Sequence, residues 1–124
     1  MKRLMTRIPF IKLHGLGNDF VVIDNRESLL TIDQTTIAAV TNRRLGVGCD
    51  QVLILNSTKV PEAYVSMEIR NVDGTEAEAC GNGSRCVAAL MMEESGKNVL
   101  GIETLAGVLL AERDESGHVT VDMG

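Results

Sequence analysis

One stretch constrains the fold more than any other: Cys80-Gly81-Asn82-Gly83, followed at once by an aliphatic segment from about Ser84 to Glu94. Val87, Ala88, Leu90 and Met91 recur there at helical spacing, which predicts a helix that buries one face. Gly96 stops it in the manner of a left-handed C-cap. Around this helix the chain reads mainly as short strands. Phe10–Leu13 and Phe20–Asp24 flank a Gly/Asn/Asp turn, Val52–Leu55 is a short apolar run, and Tyr64–Arg70 alternates apolar and polar residues. After the helix come Val99–Thr104, Val108–Arg113 and Val119–Asp122, linked by turns at Ala106-Gly107 and Glu115-Ser116-Gly117, the pattern of a meander. A second helix is expected from about Thr35 to Arg44, capped by Asp33 and ended by Gly46 and Gly48. Strands with two helices among them predict an α+β domain.

Only 2% of the 124 residues are aromatic, so the core of this one-domain chain must be built from Val, Ile, Leu, Met and Ala. The net charge of −5 and the lack of a Lys/Arg block argue against a nucleic-acid partner. Lys2, Arg3 and Arg7 make a short basic start without the apolar stretch of a signal peptide, and no segment is long and apolar enough to span a membrane. A cytoplasmic location is the expectation. Three cysteines, Cys49, Cys80 and Cys86, include no C-x-x-C pair and have no histidine close in sequence, so free thiols are expected, with no metal site.

Glycine pairs at Gly15/Gly17, Gly46/Gly48 and Gly81/Gly83 invite a dinucleotide-binding reading. Each lacks the third glycine, with Phe20, Gln51 and Cys86 in its place. The glycines instead suit positive φ or a close approach to the backbone. Gly15-x-Gly17-x-Asp19 and Gly46-x-Gly48-x-Asp50 also echo one another, too briefly to make a repeat.

Gly81-Asn82-Gly83 would present unpaired N–H donors at the start of a helix, where a carboxylate can bind and a neighbouring thiolate is favoured. Cys80 is on these grounds a poised thiol for proton chemistry on an amino acid. It is equally a small buried residue, and the residues alone do not choose. Cys86, beside Val87 inside the helix, and Cys49, in a glycine turn, are better read as packing. Thr75-x-x-Glu78 matches a capping box, but the glycines beyond it argue against a helix there. His14 and His118 have no acid or nucleophile beside them in sequence and are expected only to hydrogen-bond. Asn18 and Asn71 read first as turn residues.

Four segments resemble signatures of the diaminopimelate epimerase family. They are His14-Gly15-Leu16-Gly17-Asn18-Asp19-Phe20, Gly46-Val47-Gly48-Cys49-Asp50-Gln51, the long run from Asn71 through Cys80-Gly81-Asn82-Gly83-Ser84-Arg85-Cys86, and Val121-Asp122-Met123-Gly124. The resemblance implies the fold of one domain of such an epimerase, mainly antiparallel strands around a central helix. It implies cofactor-independent epimerisation of LL- to meso-diaminopimelate, a small-molecule substrate, by two cysteine acid/bases. Cys80 would be one of these. Gly81 and Asn82 would offer N–H groups to the substrate carboxylate, Asn18 and Gln51 would line the site, and Asn71 would reach the substrate's distal end.

The family places its second cysteine in a second domain, and no second cysteine loop of this kind follows here. The expectation is therefore residues 1–124 as an N-terminal domain with the second domain absent, incomplete alone, and self-associating or pairing with the missing half through an exposed apolar face. Another amino-acid epimerase or racemase of the same family, or a non-catalytic binding or assembly half, are the alternatives.

Overall fold

The computed structural model describes residues 10–15, 17–44, 46–78 and 80–123. The basic start and residues 16, 79 and 124 of the quoted motifs lie outside these. Eight strands and two helices follow in the order β1 (Phe10–Gly15), β2 (Asn18–Asp24), α1 (Gln34–Thr41), β3 (Gln51–Asn56), β4 (Val65–Asn71), β5 (Glu76–Ala77), α2 (Gly81–Ser95), β6 (Val99–Thr104), β7 (Gly107–Arg113) and β8 (Val119–Asp122). All strands join one sheet in the order β1-β2-β3-β4-β6-β7-β8, with short β5 paired to β4.

Most pairings are antiparallel, as expected, and β6-β7-β8 is the anticipated meander. Two pairings are parallel: β2 with β3, and β4 with β6. Each joins strands separated by a helix, the connection that parallel neighbours require.

Alternation divides the apolar residues between the two faces of the sheet. On the front, Phe20 and Val22 of β2, Leu53 and Leu55 of β3, and Met67 and Ile69 of β4 pack with Val87, Ala88, Met91 and Met92 of α2. On the back, Val21, Ile23, Val52 and Ile54 pack with Ile37 of α1 and with Cys49. Because α2 touches β1 and β2 at one side of the sheet and β6, β7 and β8 at the other, the sheet curls around it. The aliphatic core expected from composition is this wrap. Among the described residues, no helix is long and apolar enough to cross a membrane.

Several element boundaries shift by one to three residues from expectation, and two of these shifts are informative. Helix α1 begins where Asp33 caps it, its carboxylate accepting from Thr36 N at 2.9 Å, but it ends at Thr41 and not at Arg44. Asn42 turns extended (ψ 119), and its carbonyl then accepts from Gly46 N at 2.8 Å while that of Val40 accepts from Gly48 N at 3.0 Å. Arg43, which lies beyond this end, makes tertiary contacts with Asp19 and Asp50 instead of helical ones. The turn between β6 and β7 is Leu105-Ala106, with Gly107 already paired to Thr104. Thr75 and Glu78 flank β5 and start no helix, so the capping-box match is a false one.

Candidate active site

Helix α2 starts three residues earlier than its apolar face requires, so that Cys80 itself is the N-cap. Its backbone is extended (φ −150, ψ 109), its carbonyl accepts from Ser84 N at 2.8 Å, and its Sγ accepts from Gly83 N at 3.4 Å. A helix leaves its first N–H groups without partners inside the helix. With Gly83 N turned to the sulfur, the N–H groups of Gly81 and Asn82 are those left for a ligand. They are the two that the resemblance singles out.

The glycines here have distinct reasons. A Cβ on Gly83 would press on both Leu53 methyls at 3.3 Å and on the Cys80 sulfur at 3.4 Å, whereas one on Gly81 would meet nothing within 4 Å. Gly83 therefore lets the thiol and the sheet approach the helix, and Gly81 leaves open space beside the thiol. Ser84, fully buried in the same turn, has a hydroxyl with no hydrogen-bond partner among the described residues.

The three amides come together at one end of the sheet. Asn18 opens β2, Gln51 opens the parallel strand β3, and Asn71 closes β4. Gln51 is the register partner of both Phe20 and Asn71. By alternation Asn18 shares a face with Phe20, Gln51 with Leu53, and Asn71 with Ile69, which is the front face covered by α2. At this end the start of α2 meets β1, because a Cβ on Gly15 would lie 3.7 Å from the Asn82 Cβ and 3.2 Å from the Cys86 sulfur. Gln51 Nε2 donates to Asn71 Oδ1 at 3.0 Å, and Asn71 Nδ2 donates to Thr75 Oγ1 at 3.2 Å. The Asn71 turn is closed by Gly74 N donating to Asn71 O at 2.9 Å. Asn71 is thus both a turn residue and half of an amide pair.

Neither other cysteine caps a helix, although Cys86 is half-buried against the same core as Cys80. Cys49 is 1% exposed on the back of the sheet, and burial pushes its thiol up from the ordinary range. Cys86 packs partly into the front core, and burial raises its thiol too, against the opposing pull of Arg85. Cys80 is half-buried at the open helix end. Among the described residues no group of three His, Cys, Asp or Glu side chains could hold a metal ion.

One expectation needs correction. His14 does have an acid: its Nδ1 lies 2.6 Å from Asp19 Oδ1. The hairpin register pairs His14 with Asp19 across β1 and β2. The hydrogen bond with His14 holds the Asp19 carboxyl below the usual carboxylate range; burial opposes it, and Arg43 adds a smaller lowering effect.

Asp19 belongs to a cluster on the back of the sheet that the sequence reading missed. Arg43 NH2 donates to Asp50 Oδ1 at 2.9 Å and its NH1 reaches Asp19 Oδ2 at 3.4 Å. Asp19 N donates to Asp50 Oδ2 at 2.8 Å, while Asp50 N donates to Asp19 O at 2.9 Å. Lys12 Nζ stands 4.0 Å from Asp19 Oδ2. The two echoing glycine motifs therefore meet. In the second, a Cβ on Gly46 would strike the Ala39 carbonyl oxygen at 2.0 Å, and one on Gly48 (φ +80) would crowd the Arg43 side chain at 2.9 Å. The echo was the one available sequence signal of this cluster.

The family model for diaminopimelate epimerase matches residues 10–124. The diaminopimelate epimerase of Rhodospirillum centenum is 46% identical over 115 residues, covering 93% of this chain and 40% of that protein. That of Thioalkalivibrio sulfidiphilus is 44% identical over 121 residues, covering 95% and 44%. The chain thus spans about two-fifths of the length of the relatives it matches. Among solved structures, a methylitaconate-delta-isomerase superposes with a TM-score of 0.70 at 19% identity, over 90% of this chain and 36% of that one. A hydroxyproline epimerase from Agrobacterium vitis superposes with a TM-score of 0.66 at 20% identity, over 92% and 40%. At such identities these two support the fold alone.

Proposed function

The chain belongs to the diaminopimelate epimerase family, and from that premise we propose that it supplies one half of a two-thiol epimerisation, inverting an α-carbon of diaminopimelate between the LL and meso forms. The observation that carries this reading is Cys80 as the N-cap of α2, with the Gly81 and Asn82 N–H groups beside it and three amides on the facing end of the sheet.

The Cys80 thiolate takes the α-proton: the C–H bond breaks, the proton passes to Sγ, and the electron pair stays on the α-carbon and spreads into the carboxylate. That charge needs fixed donors aimed at the carboxylate oxygens, the role assigned to Gly81 and Asn82. A protonated thiol on the opposite face returns a proton to complete the inversion. Cys49 is unsuited to that part because it lies behind the sheet, and Cys86 because it belongs to the same helix that Cys80 caps, lying against Gly15, and so offers no thiol on the opposite face. The second thiol is therefore assigned to a partner segment or a second copy of the chain, docked over the open end of α2. Asn18 and Gln51 line the substrate, and the Gln51–Asn71 pair faces its distal amino acid group, since amides donate and accept without adding charge. No cofactor enters this scheme.

The test is solvent-deuterium exchange at the α-carbon of diaminopimelate, followed by NMR with the 124-residue chain and with Cys80→Ala. Exchange lost by at least about a hundredfold in the variant supports the reading, the range over which a general acid/base acts. Absence of both exchange and diaminopimelate binding in the parent chain would sink it.

A further inference from the structure

Asn18 and Gln51 point to the front of the sheet, and the residues bonded to each along the chain, Asp19 and Asp50, point to the back. The reciprocal Asp19–Asp50 bonds, at 2.8 and 2.9 Å, join the second residue of β2 to the residue just before β3. Arg43 reaches both carboxylates, His14 pairs with Asp19 from β1, and Lys12 stands at 4.0 Å. Two strand starts that each carry a site-facing amide are thereby tied by ionic contacts on the opposite face. Arg43 lies beyond the end of α1, and Gly48 keeps the space that its stem needs.

We propose that Arg43 is a positioning residue: by tying Asp19 to Asp50 behind the sheet, it sets the angle at which Asn18 and Gln51 enter the site in front. The proposal rests on the reading above that these two amides line the substrate. Arg43 and Asp50 have side chains 55% and 45% exposed, and ion pairs so exposed contribute little to stability. Loss of Arg43 should therefore move the amides without unfolding the chain. A lysine cannot span both carboxylates as the planar guanidinium does, and restores the clasp only in part.

The experiment uses the 15N-labelled chain, as parent, Arg43→Met and Arg43→Lys, with side-chain amide resonances and melting temperature read on each. In Arg43→Met the Asn18 and Gln51 side-chain amides should shift, while those of Asn25 and Asn98, bonded elsewhere to Leu30 and Arg113, stay in place. The melting temperature should stay close to the parent's, and Arg43→Lys should shift the same two resonances less. Diaminopimelate affinity should fall about tenfold in Arg43→Met, as for one misplaced hydrogen bond. Unmoved Asn18 and Gln51 resonances overturn the proposal. So does a general shift of all four amides with a lowered melting temperature, which makes Arg43 merely structural. If the parent chain binds no diaminopimelate, the substrate reading fails by itself, and the four resonances still decide the clasp.

Discussion

The two ends of α2 are built on opposite plans. At its C-terminal end the helix is capped and anchored by side chains. Gly96 adopts the left-handed cap (φ 76) and donates to Met92 O. Glu94 accepts from Arg26 through both oxygens, at 2.7 and 2.8 Å, and from Tyr64 OH at 2.7 Å, while Arg26 also grips Asp24. These bonds pin the helix to the ends of β2 and β4. At the N-terminal end the cap is a thiol, and among the described residues the Gly81 and Asn82 N–H groups and a buried hydroxyl have no partner. The contrast teaches that α2 is held fast at one end so that the other can be kept underbonded and available. Open donors next to a half-buried thiol cost stability, and the anchored end and the core offset that cost.

The strongest way to break the comparison is to loosen the anchored end. Met91 is 2% exposed, packs on β2 and β3, and lies 3.7 Å from Arg26 NH1. Met91→Ala should cost about 2–5 kcal/mol in urea unfolding. A cost below 1 kcal/mol would mean the core there is not closely packed.

The opposite sign is expected at the open end. An orphaned buried hydroxyl carries a penalty of about 1–3 kcal/mol, which an apolar group of similar shape does not incur. Ser84→Ala should therefore raise stability by up to about 1 kcal/mol in the same assay. Marked destabilisation would show that the hydroxyl has a partner in solution and that this end is more fully bonded than described.

The smallest effect is expected at Glu94. Its hydrogen bonds, Arg26 first and Tyr64 next, push the carboxyl from 4.5 down to about 2. A carboxyl so depressed stabilises the fold above its ordinary value, and that contribution disappears as pH falls from about 4.5 toward 2. With its side chain 42% exposed, screening holds the contribution to under about 1 kcal/mol. Glu94→Gln should thus lower the melting temperature slightly at pH 7 and match the parent near pH 2. An equal deficit at both values would remove the ionic explanation.

The sequence made the elements at both ends legible for a physical reason: their signals are local. Gly96 needs only its own φ to end a helix, and the alternation in Met67, Glu68 and Ile69 reports one buried face. What it hid was pairing between distant segments. Val21–Ile23 and Val52–Leu55 are apolar without alternation because both faces of the sheet are covered there, which is the mark of the parallel β2–β3 pairing. His14 and Asp19 looked unrelated because the reading stopped at nearest neighbours. With two residues between Gly15 and Asn18, hairpin register sets His14 against Asp19.

The site divided in the same way. The placement of Cys80 and its glycines at the start of a helix could be read from one continuous motif, whereas Cys80 as the cap itself, with the helix starting at Gly81 and not Ser84, came with the structure. Convergence of Asn18, Gln51 and Asn71 came from family resemblance, and sheet order supplies its physical basis. The Arg43 clasp was invisible because it depends on α1 ending early.

The central claim is that Cys80 is the thiol held at the N-terminal end of α2, while Cys49 is buried behind the sheet and Cys86 is half-buried within the helix, and site-resolved alkylation separates the three. Iodoacetamide modification of the native chain at pH 7.5, followed thiol by thiol by mass spectrometry, should label Cys80 at least about tenfold faster than the other two, because burial disfavours the thiolates of Cys49 and Cys86. Diaminopimelate should slow that labelling selectively. Equal rates for the three thiols, or Cys49 or Cys86 reacting first, would contradict the account.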